Sequence, residues 1–279
     1  MNYQSFQDMS NLIMDNIHKF TAYDLLIGIP RSGMIPALMI ASKLNMPVCD
    51  LYSFARHDEF TIQGGGRSQI LNFNLNNIKN PLIIDDSIHS GVSMEKAESF
   101  LRKNGILQYK TCAIYATEAS KHKVDVFLDI LAQPRVFEWN ILQCWITNLA
   151  MFDLDGVLCV DPVVDDDGEK YIEYITNAPL KIKPTMTIDT IVTCRLEKYR
   201  TITEQWLHGN NIQYKNLIML PFNTKDERIL WGQHAEYKAE HYKNSPTILF
   251  VESSKAQADK IYNITKKPVF CIENNQLIQ

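Results

Sequence analysis

Residues 81–93 read PLIIDDSIHSGVS, and this stretch decides how the chain is understood. The apolar run Leu82-Ile83-Ile84 is of strand type and drives straight into two adjacent carboxylates, Asp85 and Asp86. A loop of small and hydroxylated residues follows, with Ser87, Ser90, Gly91 and Ser93. Beyond it Met94, Ala97, Phe100 and Leu101 recur every three to four residues, which predicts a helix packed back on a sheet. In a strand–loop–helix unit the free N–H groups at the helix start, a glycine and three hydroxyls make a cradle for a phosphate. The carboxylates cannot hold that phosphate. Their acceptor-only oxygens suit a diol such as the ribose 2' and 3' hydroxyls, or a metal ion. A diol beside a phosphate describes a ribose 5-phosphate.

The stretch resembles the 5-phosphoribosyl 1-pyrophosphate (PRPP) signature of type I phosphoribosyltransferases, although SIHSGVS stands where many members have two threonines and two glycines. The resemblance implies that Asp85 and Asp86 lie along the ribose hydroxyls and that Ser87, Ser90, Gly91 and Ser93 wrap the 5-phosphate.

Upstream, an opening amphipathic helix is expected over Ser5 to Phe20 and a buried strand over Tyr23 to Ile29. That strand ends in Gly28-Ile29-Pro30-Arg31-Ser32-Gly33, before an apolar helix from Ile35 to Leu44. A guanidinium beside a helix start suits a second anion. By the same resemblance Arg31, Ser32 and Gly33 hold the pyrophosphate of PRPP. The polar segment Arg56 to Ser68, with glycines at 64, 65 and 66, is placed like the mobile catalytic loop of that family; Arg56 and Arg67 are assigned to phosphate contacts. Phe137, Glu138 and Trp139 either line the hood that selects the acceptor or pack a seam between domains.

The second half repeats the logic with other chemistry. Strand residues Ala150-Met151-Phe152 run into Asp153-Leu154-Asp155-Gly156, so two carboxylates at i and i+2 can turn towards one magnesium. FDLDGVL is similar to the first motif of haloacid dehalogenase superfamily phosphatases. The resemblance implies Asp153 as nucleophile and Asp155 as general acid and base. Thr193, ending a strand from Thr190, would hydrogen-bond the phosphoryl oxygen, and Arg195 would add a charge-assisted contact. Lys238 in HAEYKAEHYK is chosen to neutralise the aspartyl phosphate, with Lys243 as rival. Asp153, Asp155 and Glu252 make the expected Mg2+ set, Glu252 standing where the family commonly has aspartate. The short stretch from Cys159 to Ile182, with an acidic turn at Asp165-Asp166-Asp167-Gly168, leaves room only for a minimal cap, and an open pocket suits a bulky phosphorylated substrate.

The remaining composition narrows the setting. With 46% hydrophobic and 22% charged residues and a net charge of -4, nothing points to a nucleic-acid partner. No run of 18 apolar residues predicts a membrane span, the first twenty residues lack a signal-peptide pattern, and six scattered cysteines fit reduced thiols; a cytoplasmic protein is expected. The fold expected is α/β: a type I phosphoribosyltransferase domain over 1–145 and a haloacid dehalogenase-like, Rossmann-like phosphatase domain over 146–279.

Across the chain this order resembles bacterial fusions that supply ribofuranose for surface polysaccharides. The implied partners are PRPP and a glycan acceptor, lipid-linked or free, and assembly into a homo-oligomer is compatible with it. Two other readings stay open: a nucleobase phosphoribosyltransferase fused to a nucleotidase, and a PRPP-sensing regulator.

Overall fold

The apolar runs of each half line up as parallel strands, as continuous burial on both faces requires. The computed structural model describes residues 1–56, 61–63, 70–72, 78–163 and 167–279. They form two units, Asn2–Trp139 and Asn140–Gln279, the latter grouped with Met1. The first unit closes a few residues before the expected boundary at 145. Trp139 is tied to it by a ring stack and a hydrogen bond, whereas Gln143 bonds to Lys183 and Thr185 of the second.

In chain order the first unit comprises β1 (Asn2–Gln4), α1 (Phe6–Asp15), β2 (Leu25–Gly28), α2 (Met34–Leu44), β3 (Val48–Asp50), α3 (Leu51–Ala55), β4 (Thr61–Gln63) and β5 (Ile70–Asn72). It continues with β6 (Pro81–Ser87), α4 (Val92–Lys103), β7 (Lys110–Ala116), β8 (Val126–Ile130) and β9 (Arg135–Phe137). Ser5 caps α1 in a reciprocal box with Asp8. The helix expected to reach Phe20 stops at Asp15: the Asn16 side-chain Nδ2 donates to the Leu12 carbonyl, and a 3-10 turn over Ile17–Phe20 still delivers Phe20 to the core.

The main sheet runs β3-β2-β6-β7-β8, all parallel. One face packs Leu26, Leu82 and Ile84 against Met9, Ile13, Ala37 and Ile40 of α1 and α2. The other packs Ile27 and Ile83 against Phe54 of α3 and Met94, Ala97 and Leu101 of α4. Strand order reverses between β2 and β6, so the loops after these two strands flank a topological switch point, where open parallel sheets bind ligands. β1 pairs with β9, and β4 with β5, as separate two-stranded ladders.

The second unit follows as β10 (Ala150–Phe152), α5 (Glu169–Asn177), β11 (Ile188–Leu196), α6 (Arg200–Gly209), β12 (Tyr214–Leu220), α7 (Lys225–Trp231), α8 (His234–Lys243), β13 (Leu249–Glu252), α9 (Lys255–Thr265), β14 (Val269–Cys271) and β15 (Gln276–Ile278). Its sheet order is β12-β11-β10-β13-β14-β15, parallel except for β15. Here the reversal falls between β10 and β13, which places the chain after Phe152 beside the end of β13. The stretch expected as a minimal cap contains α5, whose Tyr171 and Ile175 pack with Leu196 and Tyr199. Among the described residues, no helix is long and apolar enough to cross a membrane.

Candidate functional site

In the first unit the loop after β2 lies backbone to backbone against β6. Gly28 pairs with Ile84, and the Ile29 amide donates to the Ile84 carbonyl at 2.9 Å. Gly33 precedes α2, and a Cβ there would come within 2.5 Å of that same carbonyl, so only glycine lets the loop approach. Arg31 is exposed and Ser32 half-buried at the start of α2; the Pro30–Arg31 peptide is cis. Arg56 follows α3, with a guanidinium nitrogen 3.4 Å from Ser53 Oγ. Arg67 and glycines 64–66 lie outside the described residues.

Asp85 and Asp86 end β6 at 6% and 4% exposure. The Asp86 amide donates to Asp85 Oδ1 at 3.0 Å, and the Ser93 hydroxyl also bonds Asp85. Burial first, and then the charge of Asp86, pushes the Asp85 carboxyl up to about 8. Burial and the neighbouring carboxylate thus favour the protonated form of Asp85. The enclosure is closer than the sequence suggests, because Trp139 Nε1 donates to Asp86 Oδ2 at 2.6 Å. Beyond the pair, Gly91 takes φ 89° to open α4, and Lys123 Nζ donates to the Ser90 carbonyl at 2.5 Å. Ser87 is half-buried, and Ser90 and Ser93 are exposed.

A pH dependence follows from Asp85. Its folded-state value lies above the ordinary carboxylate range, so its contribution to stability is complete below about pH 4 and is lost as pH rises through 8. Asp85→Asn keeps a neutral group in place. Relative to wild type, the variant should gain about 3 °C or more in melting midpoint between pH 5 and pH 8.5. Parallel melting curves with no pH-dependent gap would contradict the assignment.

The second unit gathers its groups around a cavity of about 210 Å³ lined by Asp153, Asp155, Thr193, Arg195, Arg228 and Lys238. Lys238, on α8, is the buried lysine of HAEYKAEHYK, while Lys243 is exposed. Its Nζ sits 2.7 Å from Asp153 Oδ2, 2.8 Å from Glu252 Oε2 and 3.1 Å from Gln257 Oε1. Burial opposes the Lys238 charge, but Asp153 and Glu252 outweigh it and raise its pKa. Burial also drives Asp153 upward, Lys238 pulling the other way. One ammonium facing two buried carboxylates leaves the trio short of positive charge.

β11 bulges between Val192 and Leu196, which re-aims Thr193 and Arg195. Thr193 is buried, its Oγ1 accepting from the Arg195 amide at 3.2 Å. The sequence reading gave Arg195 to a phosphate. Its side chain is instead 0% exposed and committed to Asp155, from Nη2 at 2.6 Å and Nε at 3.0 Å, with Cys159 Sγ 3.4 Å away. A bidentate guanidinium fits a carboxylate better than it can serve two anions.

The proposed cation set also differs. Glu252 is 0% exposed; its Oε1 accepts from the Ser253 and Ser254 amides and its Oε2 from Lys238. Asp153 Oδ1 accepts from the Leu154 amide, and Asp155 is held by Arg195. Asp153, Asp155 and Glu252 thus do not fit a shared Mg2+ in this arrangement, because Lys238 and Arg195 take the oxygens a cation needs. Among the described residues, no group of three or more His, Cys, Asp or Glu is placed to hold a metal ion. In the acidic turn, Asp165 and Asp166 are outside the described residues, and Asp167 pairs with Lys198 at 2.7 Å.

Sequence reasoning missed Arg228 on α7 and Gln257 on α9. Arg228 donates to the Cys194 carbonyl at 3.3 Å, and no local pattern marks either residue. His234 also lines the cavity; burial, then Arg228 and Lys238, hold its imidazole below the usual histidine range.

Chemically, the first unit sets a buried pair of carboxylates beside two helix starts, and the second sets buried carboxylates against one lysine and two arginines at a cavity wall. The phosphoribosyl transferase domain family matches residues 3–145. Among solved structures, the chain is similar to a purine phosphoribosyltransferase from Pyrococcus horikoshii (21% identity, 50% of this chain and 93% of that one, TM-score 0.37). It is also similar to a xanthine-guanine-hypoxanthine phosphoribosyltransferase from Helicobacter pylori (14%, 50% and 93%, TM-score 0.37) and to an orotate phosphoribosyltransferase from Aeropyrum pernix (16%, 45% and 70%, TM-score 0.31). No curated protein matches the chain.

Proposed function

The chain belongs to the phosphoribosyl transferase domain family, and from that premise we propose that it ribosylates a glycan hydroxyl in two steps: transfer of ribose 5-phosphate from PRPP, then removal of the 5-phosphate. The observation that carries the second step is Lys238 within bonding reach of Asp153 at a cavity wall, in a unit separate from the transferase.

In the first step the pyrophosphate of PRPP rests on Arg31, Ser32 and the amides opening α2, and the 5-phosphate on the loop from Ser87 to Ser93. Asp85 and Asp86 take the ribose hydroxyls. The acceptor oxygen bonds to C1, the bond from C1 to pyrophosphate breaks, and the acceptor proton passes to solvent water or to the departing pyrophosphate. The magnesium expected of this chemistry accompanies the pyrophosphate as part of the substrate.

In the second step an Asp153 oxygen attacks phosphorus, the bond from phosphorus to the sugar O5 breaks, and O5 takes a proton from solvent water. Water then cleaves the aspartyl phosphate, releasing phosphate and restoring Asp153. Lys238 offsets the charge on Asp153, and Thr193 offers a hydroxyl to the phosphoryl group. Asp155, bonded as an acceptor, suits the base half of its role, withdrawing a proton from that water.

The test is incubation with PRPP, magnesium and a panel of glycans and free bases, with products identified by mass. The proposal expects a ribosylated glycan, pyrophosphate and phosphate. Consumption of a free base would replace the glycan by a nucleobase. PRPP bound with no product released would make the chain a sensor.

A further inference from the structure

Trp139 does something that its place in an acceptor hood does not require. Its indole has a single N–H and no acceptor, and that donor is spent on Asp86 Oδ2 at 2.6 Å, while the same carboxylate also shares a side-chain hydrogen bond with Asp85. The ring is locked where it is: it stacks on Phe137 at 4.7 Å and 16°, with the Phe6 ring 5.5 Å away. Phe137 in turn lies against Tyr115 at 5.4 Å and under the Arg135 guanidinium at 5.6 Å.

Arg135 is the second half of the arrangement. It is buried, and its nitrogens go to carbonyls, reaching Ile88 at 2.8 Å and Ala116 at 3.2 Å. Ile88 follows Ser87 in the loop assigned to the 5-phosphate. The segment from Arg135 to Trp139 thus grips the ribose loop twice, at Asp86 and at Ile88. The segment is itself fixed by the β1 ladder, by the Glu138 amide on the Gln4 carbonyl at 3.0 Å, and by Glu138 Oε2 on the Phe6 amide at 2.8 Å.

An aspartate carboxylate turns easily about its last torsion, whereas a recognition site needs its groups held to within about 0.5 Å. We propose that Trp139 is a positioning residue for PRPP: its indole N–H fixes the Asp86 carboxylate, and through their shared hydrogen bond the Asp85–Asp86 pair, in the orientation that meets a ribose hydroxyl. This rests on the transferase reading of Asp86 given above. Neither sequence proximity nor the hood role explains it; the contact spans from β6 to the end of β9.

The experiment is calorimetric titration of the full chain with PRPP and, separately, with inorganic pyrophosphate, both with magnesium. Trp139→Phe keeps the ring stack and removes the donor. PRPP affinity should fall about tenfold, as loss of a hydrogen bond to a charged group implies. Pyrophosphate, which lacks the ribose, should bind within about twofold of wild type. Equal loss of both ligands, or loss of neither, overturns the inference. Phe137→Leu keeps the donor and loosens the stack; it should weaken PRPP about threefold and leave pyrophosphate alone, and it decides the matter by the same ratio if Trp139→Phe does not fold. A wild-type chain that binds pyrophosphate but no PRPP removes the transferase reading, and this inference with it.

Discussion

Asp153→Asn should lower phosphate release by about a thousandfold or more while leaving pyrophosphate release from PRPP intact, so that product accumulates one phosphoryl group heavier. The expectation rests on where the carboxylate stands. Asp153 follows β10, at the reversal of strand order, with Oδ1 held by the Leu154 amide and Oδ2 by Lys238. Asn preserves the shape and can still accept from Lys238, so loss of activity would report the missing nucleophile rather than a collapsed cavity. Separate assays of pyrophosphate and phosphate keep the two units' contributions apart. A variant that frees phosphate at the wild-type rate would end the sequential reading, and the transferase reading would stand without it.

Lys238→Ala is expected to destabilise the second unit by about 3–5 kcal/mol, the range for removing one member of a buried ionic group. Side-chain exposures of 3% for Lys238, 7% for Asp153 and 0% for Glu252 leave no water to take over the ammonium's role. Burial already drives Asp153 upward, and without Lys238 it takes up a proton at neutral pH, which caps the loss. Denaturant unfolding should therefore show the larger deficit above pH 8, where that proton is hardest to keep. Pairing Lys238→Met with Glu252→Gln removes the charge on both sides and should recover part of the loss. Unchanged unfolding midpoints for Lys238→Ala would mean that the trio contributes nothing to the fold. Because the readout is stability, this result bears on the geometry whatever the substrate proves to be.

The sequence by itself determined the parallel strands, the loops that end them and the carboxylates those loops carry. These are local matters: the apolar run Leu82–Ile84 must be buried, Gly91 must turn, and the period from Met94 to Leu101 must face the sheet. The family over residues 3–145 was legible for the same reason, since strand, acidic pair, loop and helix are contiguous. Lys238 and its rival Lys243 could both be named from HAEYKAEHYK, but that the first is buried and the second exposed was not legible there.

Tertiary structure alone decided what each charged group holds. That Arg195 holds Asp155, that Lys238 bridges Asp153 and Glu252, and that the Trp139 indole caps Asp86 are all consequences of side chains meeting across large separations in the chain. A pattern of residues fixes where a side chain starts. Its hydrogen-bond partner is set by packing, because a buried donor or acceptor must be satisfied by whichever group the fold brings within about 3 Å.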